Sequence, residues 1–275
     1  MRPIQLFSSD KRVAEELGRI ESFHAVDATL SALLLATLLH PTALLGPVCL
    51  VVFGSGLGTK VCDGRTLQPG KGIARPRGFL EGDTVPMHAK MAVPTLMPAL
   101  GAFHAMFGTG TINKVAAPAL SFIDVAERKK FYSAMFKKGA RAFIEEPMRS
   151  ELLLVGHRQN GGTLSGEDLE STLPRIGDLH STEWETTREG FDLVGASDER
   201  GRNAVALFWS DPRGLEVAHG LFAPPFAHPV MRGVQREKAG TPLGALPKLA
   251  MEKDKLHVAL SKSGSAGNVA WSRSG

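Results

Sequence analysis

The chain has 275 residues, enough for one large domain or two small ones, with 43% hydrophobic and 22% charged residues, the balance of an ordinary globular protein. The net charge of +4 is thinly spread, no basic cluster is interleaved with aromatics, and there is one Tyr in the chain, so nucleic acid is not an expected partner. Two cysteines, Cys49 and Cys62, exclude a disulfide scaffold and a cysteine-only zinc site.

Met1 to Asp10 has no apolar core of the signal-peptide kind and reaches Lys11-Arg12 at once. Ser8-Ser9-Asp10 is positioned to cap a short helix through about Ile20. Ala25 to Leu39 predicts a stronger helix, apolar nearly all round and therefore buried between other layers. The apolar stretch from Thr29 to Phe53 is broken by His40-Pro41 and Gly46-Pro47, so neither half is long enough for a membrane span. A cytoplasmic protein is expected.

Pro47 to Phe53 has the length and the β-branched residues of a strand covered on both faces. Gly54-Ser-Gly-Leu-Gly58 then allows positive φ and closes a hairpin back through Val61-Cys62 to Asp63-Gly64-Arg65. The run is not a dinucleotide fingerprint, because Thr59 stands at the third glycine position and no helix follows. Nor is it a P-loop, which needs Gly-Lys-Ser/Thr where this chain has Gly-Thr-Lys. Cys49 and Cys62 lie on the two arms as prospective cross-strand neighbours. Arg65 ends the hairpin where a fixed cation would hold a carboxylate through paired hydrogen bonds.

Gln68 to Asp83 reads as a surface loop. Helices are predicted over Pro98 to Phe107, from an Asn113 cap through Ala117 and Ile123 towards Ala126, over Arg128 to Ala142, and over Glu145 to Gly156. Ser165-Gly-Glu-Asp-Leu169 reads as a helix start with a carboxylate in its first turn. From Thr187 onward short strands prevail: Phe191 to Ser197, a turn at Asp198-Glu-Arg-Gly201, and Asn203 to Trp209. Pro224-Pro225 and Pro229 read as connections, Leu249 to Met251 and Leu256 to Leu260 as a last hairpin, and Ser261 to Gly275 as a small polar tail. The nine histidines show no paired helical spacing, so neither a metal nor another cofactor is expected. There is no Gly-x-Ser-x-Gly elbow.

In this order, several segments resemble the γ-glutamyltransferase (glutathione hydrolase) family. They are Ala25-Val-Asp-Ala28, Asp63-Gly-Arg65 with Pro69, and Ala92-Val-Pro94 with Gly101 and Phe107-Gly108-Thr109. Ala117-Pro-Ala-Leu120, Gly162-Thr-Leu-Ser-Gly-Glu-Asp-Leu169, Asp198 to Leu207, and Thr241-Pro-Leu with Pro247 follow. The resemblance implies an α+β N-terminal-nucleophile hydrolase fold, an αββα sandwich over a single domain. Residues 1–185 would match the large subunit and 186–275 the small one, helix-rich first and strand-rich after. It also implies self-cleavage before a threonine that attacks γ-glutamyl amides such as glutathione.

The family's site residues carry over unevenly. The resemblance makes Arg65, with Asp63 beside it, the site of the γ-glutamyl α-carboxylate, and Gly264 or Gly267 the counterpart of the oxyanion glycines. Counting back from Asp198 without gaps puts Phe191 where the nucleophilic threonine belongs, and a phenyl ring can neither attack a carbonyl nor drive an acyl shift. Thr182, Thr186 and Thr187 are reached only with an insertion. The substrate-ammonium carboxylates have no counterpart in Leu221 to Pro229. Two expectations follow. The first is a shortened, pseudoenzyme-like relative that is not self-processed and serves as a binding or assembly subunit for a small γ-glutamyl or other carboxylate. The second is an active amidase or acyltransferase using Thr186 or Thr187. Leu221 to Val230 is an apolar, proline-rich candidate surface for homo- or hetero-oligomer formation.

Overall fold

The computed structural model describes residues 4–21, 24–40, 43–73, 84, 87–156, 161–179, 192–208, 215–219, 222–228, 238–243, 249–252, 255–262 and 265–271. The apolar run after Pro47 forms β2 (Val48–Gly54), which turns back into β3 (Thr59–Gly64). The turn needs its glycines: φ is +94° at Gly54, +75° at Gly56 and +67° at Gly58, with Ser55 also at +50°. Around this hairpin a six-stranded antiparallel sheet assembles in the order β1-β5-β6-β2-β3-β4. The added strands are β1 (Gln5–Ser8), β4 (Arg175–Asp178), β5 (Asp192–Ser197) and β6 (Arg202–Phe208). Strands from both halves of the chain thus interleave in one sheet.

Strand alternation gives each face its own core. Val48, Leu50, Val52, Cys62, Val194, Ala196, Ala204 and Ala206 meet the helices. Cys49, Val51, Phe53, Val61, Leu193, Val205 and Leu207 form a second cluster on the far face, joined by Leu249. Leu249 opens β9 (Leu249–Glu252), which pairs with β10 (Lys255–Lys262) and through it with β11 (Ser265–Trp271) in a three-stranded sheet. β7 (Leu215–His219) and β8 (Phe222–His228) form a separate pair.

α2 (Ala25–Leu39) is the centre of the helical face. Residues 25 to 37 are all buried, the outcome expected of a helix with no polar face. Its few polar side chains are satisfied locally or against the sheet: Thr29 Oγ1 donates to the Ala204 carbonyl, and Thr37 Oγ1 to that of Leu34. α1 (Lys11–Glu16) is capped by Asp10, whose carboxylate accepts from Val13 N. α3 (Leu96–Phe107), α4 (Ile112–Ser121), α5 (Ala126–Lys137) and α6 (Met148–Gly156) complete the layer. α7 (Gly166–Glu170) starts in a capping box between Ser165 and Asp168.

Five expectations are corrected. Cys49 and Cys62 are not cross-strand neighbours: Cys49 faces Asp63 and Leu50 faces Cys62, so the one-residue offset sends the thiols to opposite faces. Asn113 does not cap α4, whose N-cap is Thr111, so Asn113 lies in the first turn. Pro224-Pro225 is not a connection but part of β8, in a two-stranded ladder where half the backbone donors need no partner. The polar tail contains β11, recruited by pairing with β10 rather than by its own apolar content. β1 forms where no strand was expected, by antiparallel pairing with β5.

Close packing in the helical layer depends on Gly101. A Cβ there would lie 2.2 Å from the Ala140 backbone nitrogen and 2.6 Å from its Cα, atoms that cannot rotate away. Gly101→Ala is expected to destabilise the fold by roughly 1–3 kcal/mol through overpacking. Urea unfolding would show a lower midpoint with an unchanged slope.

Candidate functional site

At one end of the sheet, register places Gly64 opposite Val48, Val48 opposite Phe208, and Phe208 opposite Asp192. The end of β3 and the start of β5 therefore lie in one row, three strand spacings or about 14 Å apart. Odd-numbered residues of these strands face the second cluster, and Asp63, opposite Cys49, shares that side. Arg65 follows one residue beyond β3.

Asp63 fixes the Arg65 guanidinium. Arg65 Nη2 donates to Asp63 Oδ2 at 2.8 Å, and Arg65 Nε lies 3.1 and 3.2 Å from the two carboxylate oxygens. The Arg65 backbone N–H also donates to Asp63 Oδ1 at 3.0 Å. The guanidinium is 21% exposed and the carboxylate 10%, so the pair is screened less than a surface ion pair and its plane is set before any ligand arrives. Beside it, burial pushes the Cys49 thiol well above its ordinary range, with the Asp63 charge adding to the effect. Burial likewise raises Cys62 to about 12. Both thiols stay protonated and are not nucleophiles. Thr182, Thr186, Thr187, Phe191 and Gly264 lie outside the described residues. Gly267 lies within β11 opposite Leu260.

Sequence reasoning missed a set of buried carboxylates, two of which, Asp27 and Asp198, lie at the other end of the sheet. Asp27 in α2 accepts from Thr109 N, Thr109 Oγ1 and Gly110 N, pinning the α3–α4 connection onto α2. Asp198 after β5 accepts from Arg200 N, Arg202 N, Arg202 Nε and Ala25 N, pinning the β5–β6 turn onto the same helix. Asp168 accepts from Gly70 N, Lys71 N and Ser165 N. All three are buried, at 6%, 7% and 2% exposure respectively. The signal was present: each lies in a segment that carried the family resemblance, yet a one-dimensional reading cannot say that such a carboxylate serves backbone donors rather than a substrate. His24, the N-cap residue of α2, is buried beside Asp27 and Asp198. Its pKa is lowered, first by burial and then by the Arg202 charge, with Arg200 acting in the same direction and the two aspartates opposing. Among the described residues, no cluster of three or more His, Cys, Asp or Glu is arranged to hold a metal, and no helix is long and apolar enough to cross a membrane.

The arrangement of helices and sheet is shared with solved structures. Cephalosporin acylase from Bacillus halodurans aligns with a TM-score of 0.52 and 14% identity, over 70% of this chain and 46% of the acylase. The gamma-glutamyltranspeptidase of Helicobacter pylori aligns at 0.49 and 16%, over 75% of this chain and 69% of that one. That of Pseudomonas nitroreducens aligns at 0.48 and 15%, over 74% and 70%. No protein-family model and no curated protein matches the sequence. The fold is the layered α+β fold of the N-terminal-nucleophile hydrolases. The chain spans about half the length of the acylase, 46%.

Two outcomes follow from the buried network. Asp27→Ala strands three donors at once and is expected to lower the unfolding free energy by about 3 kcal/mol, read as a shift in the urea midpoint. His24 has the sign of a group buried neutral. Between its lowered folded pKa and its ordinary value of about 6.5 the unfolded chain binds more protons, so stability rises with pH through that window and is lost below it. A His24→Gln variant is expected to show a flatter stability profile than the wild-type chain as pH falls below about 6.5.

Proposed function

We propose that this chain is a γ-glutamyltransferase-like protein that is not self-processed and binds a small carboxylate at Arg65 as a binding or assembly subunit. The observation that carries the reading is the Asp63–Arg65 pair, held at the sheet end where β5 begins. In the sequence, β5 is preceded by Phe191. A guanidinium oriented in advance loses little freedom on binding and presents a planar donor set suited to a carboxylate. About 14 Å separates the two strand ends, a span that an arginine side chain and a small γ-glutamyl compound can bridge together. Such a site would place an amide near the start of β5, but a phenylalanine there supplies no nucleophile. Nucleophile, base and oxyanion donors act as a unit, so losing the nucleophile removes the reaction rather than slowing it modestly.

Intact mass after prolonged incubation tests the processing half of this reading. One uncut chain of 29.4 kDa and no aniline release from a γ-glutamyl anilide are expected. Two fragments with the junction before Thr182, Thr186 or Thr187 would establish instead an active amidase or acyltransferase. Calorimetric titration with the same anilide tests the binding half. Arg65→Ala is expected to weaken it at least about tenfold, the loss of one charge-assisted contact, and equal affinity for the variant would remove Arg65 from the site.

A further inference from the structure

The sheet end remote from Arg65 carries a cleft of about 460 Å³, within the range of small-molecule sites. Its floor is His24, Asp27 and Ser31, at and just inside the start of α2. One wall is Thr109, Gly110 and Lys114, and the other is the β5–β6 turn with Glu199, Arg200 and Arg202. From Arg202 at this end to Phe208 at the other, β6 covers about 20 Å, so the two places are separate.

We propose that this cleft binds a small oxyanion-bearing molecule, its carboxylate or phosphate held by Lys114, Arg200 and Arg202. The argument rests on which charges around it are already engaged. Asp27 has its oxygens taken by Thr109 and Gly110, and Asp198, which backs the cleft, by four donors. These carboxylates are therefore not available to satisfy a further cation. Arg202 is only 18% exposed and is held through Nε by Asp198 at 3.1 Å. Its two Nη nitrogens meet no acceptor among the described residues, and the same holds for Lys114 Nζ and the Arg200 guanidinium. The remaining anions, Glu21 and Glu199, are exposed, as are Lys114 and Arg200, and solvent screens all four. The 15-residue helix α2 adds the positive end of its dipole from below. An oxyanion answers each of these features: it accepts from the fork of Arg202, pairs with the flexible cations at the mouth, and meets no uncommitted buried carboxylate.

The test is calorimetric titration of the full-length chain at low ionic strength, with inorganic phosphate as one probe and acetate as the other. Single-site saturable binding of at least one probe is expected. Lys114→Ala and Arg200→Ala should each weaken it about tenfold, the loss of one charge-assisted contact. Both residues are exposed, and their replacement leaves the backbone bonds of Arg200 in place, so thermal melts of the variants should match the wild type. Saturation by phosphate alone would identify a phosphate site, and saturation by acetate a carboxylate site. Arg65→Ala serves as the control and should leave this binding unchanged, whatever becomes of γ-glutamyl anilide binding. The proposal is overturned if neither probe saturates, if both cleft variants bind as the wild type does, or if Arg65→Ala alone abolishes binding.

Discussion

An ionised carboxylate taken out of water is costly unless hydrogen-bond donors surround it, and this chain buries three of them as joints. Asp27, Asp168 and Asp198 each collect backbone N–H groups from loops that would otherwise have none to answer them. Asp27 and Asp198 both act on the start of α2, one from the helical layer and one from the sheet. The helix that fills the middle of the molecule is thus tied at its N-terminal end to the elements on either side. Its apolar surface, buried at about 25 cal/mol per Å², favours the centre of any compact arrangement; the aspartates select this one. Removing either partner leaves stranded charge or stranded donors, which is why such joints bear little substitution.

The same joints give the molecule two chemically different ends. Around α2 the loops converge, cations are crowded by the β5–β6 turn, and a cleft remains. At the opposite end the far face of the sheet carries one arginine locked to one aspartate, in line with the first residue of β5. The two buried thiols, one on each face, contribute packing and no reactivity. The sheet register that places Asp63 and Arg65 at this end is set by the apolar side chains of the two cores.

Elements with a strong local signal were legible in advance. α2 announced itself by continuous apolar composition with no breaker, the β2–β3 hairpin by glycines between two short β-branched runs, and α7 by Ser165-Gly-Glu-Asp-Leu169 as a helix start with a carboxylate in its first turn. The weak strands were not legible. β1 and β11 are held by pairing with β5 and β10, and β8 accommodates two prolines because its ladder has a single partner strand. Arg65 was found as a candidate cation from its place at the end of a strand. That it already holds Asp63, and that the cleft lies at the other end of the sheet, came only from the folded arrangement.

By itself, the sequence determined where the chain is apolar and where it can turn. Those are local properties: hydrophobicity, φ preference and side-chain chemistry belong to each residue alone. The tertiary structure decided register, partner and face. A shift of one residue separates Cys49 and Cys62 onto opposite cores, and sites far apart in sequence meet to satisfy Asp27 and Asp198. Such contacts are chosen by the free energy of the whole packed assembly, which depends on every layer at once, so no single stretch of sequence contains them.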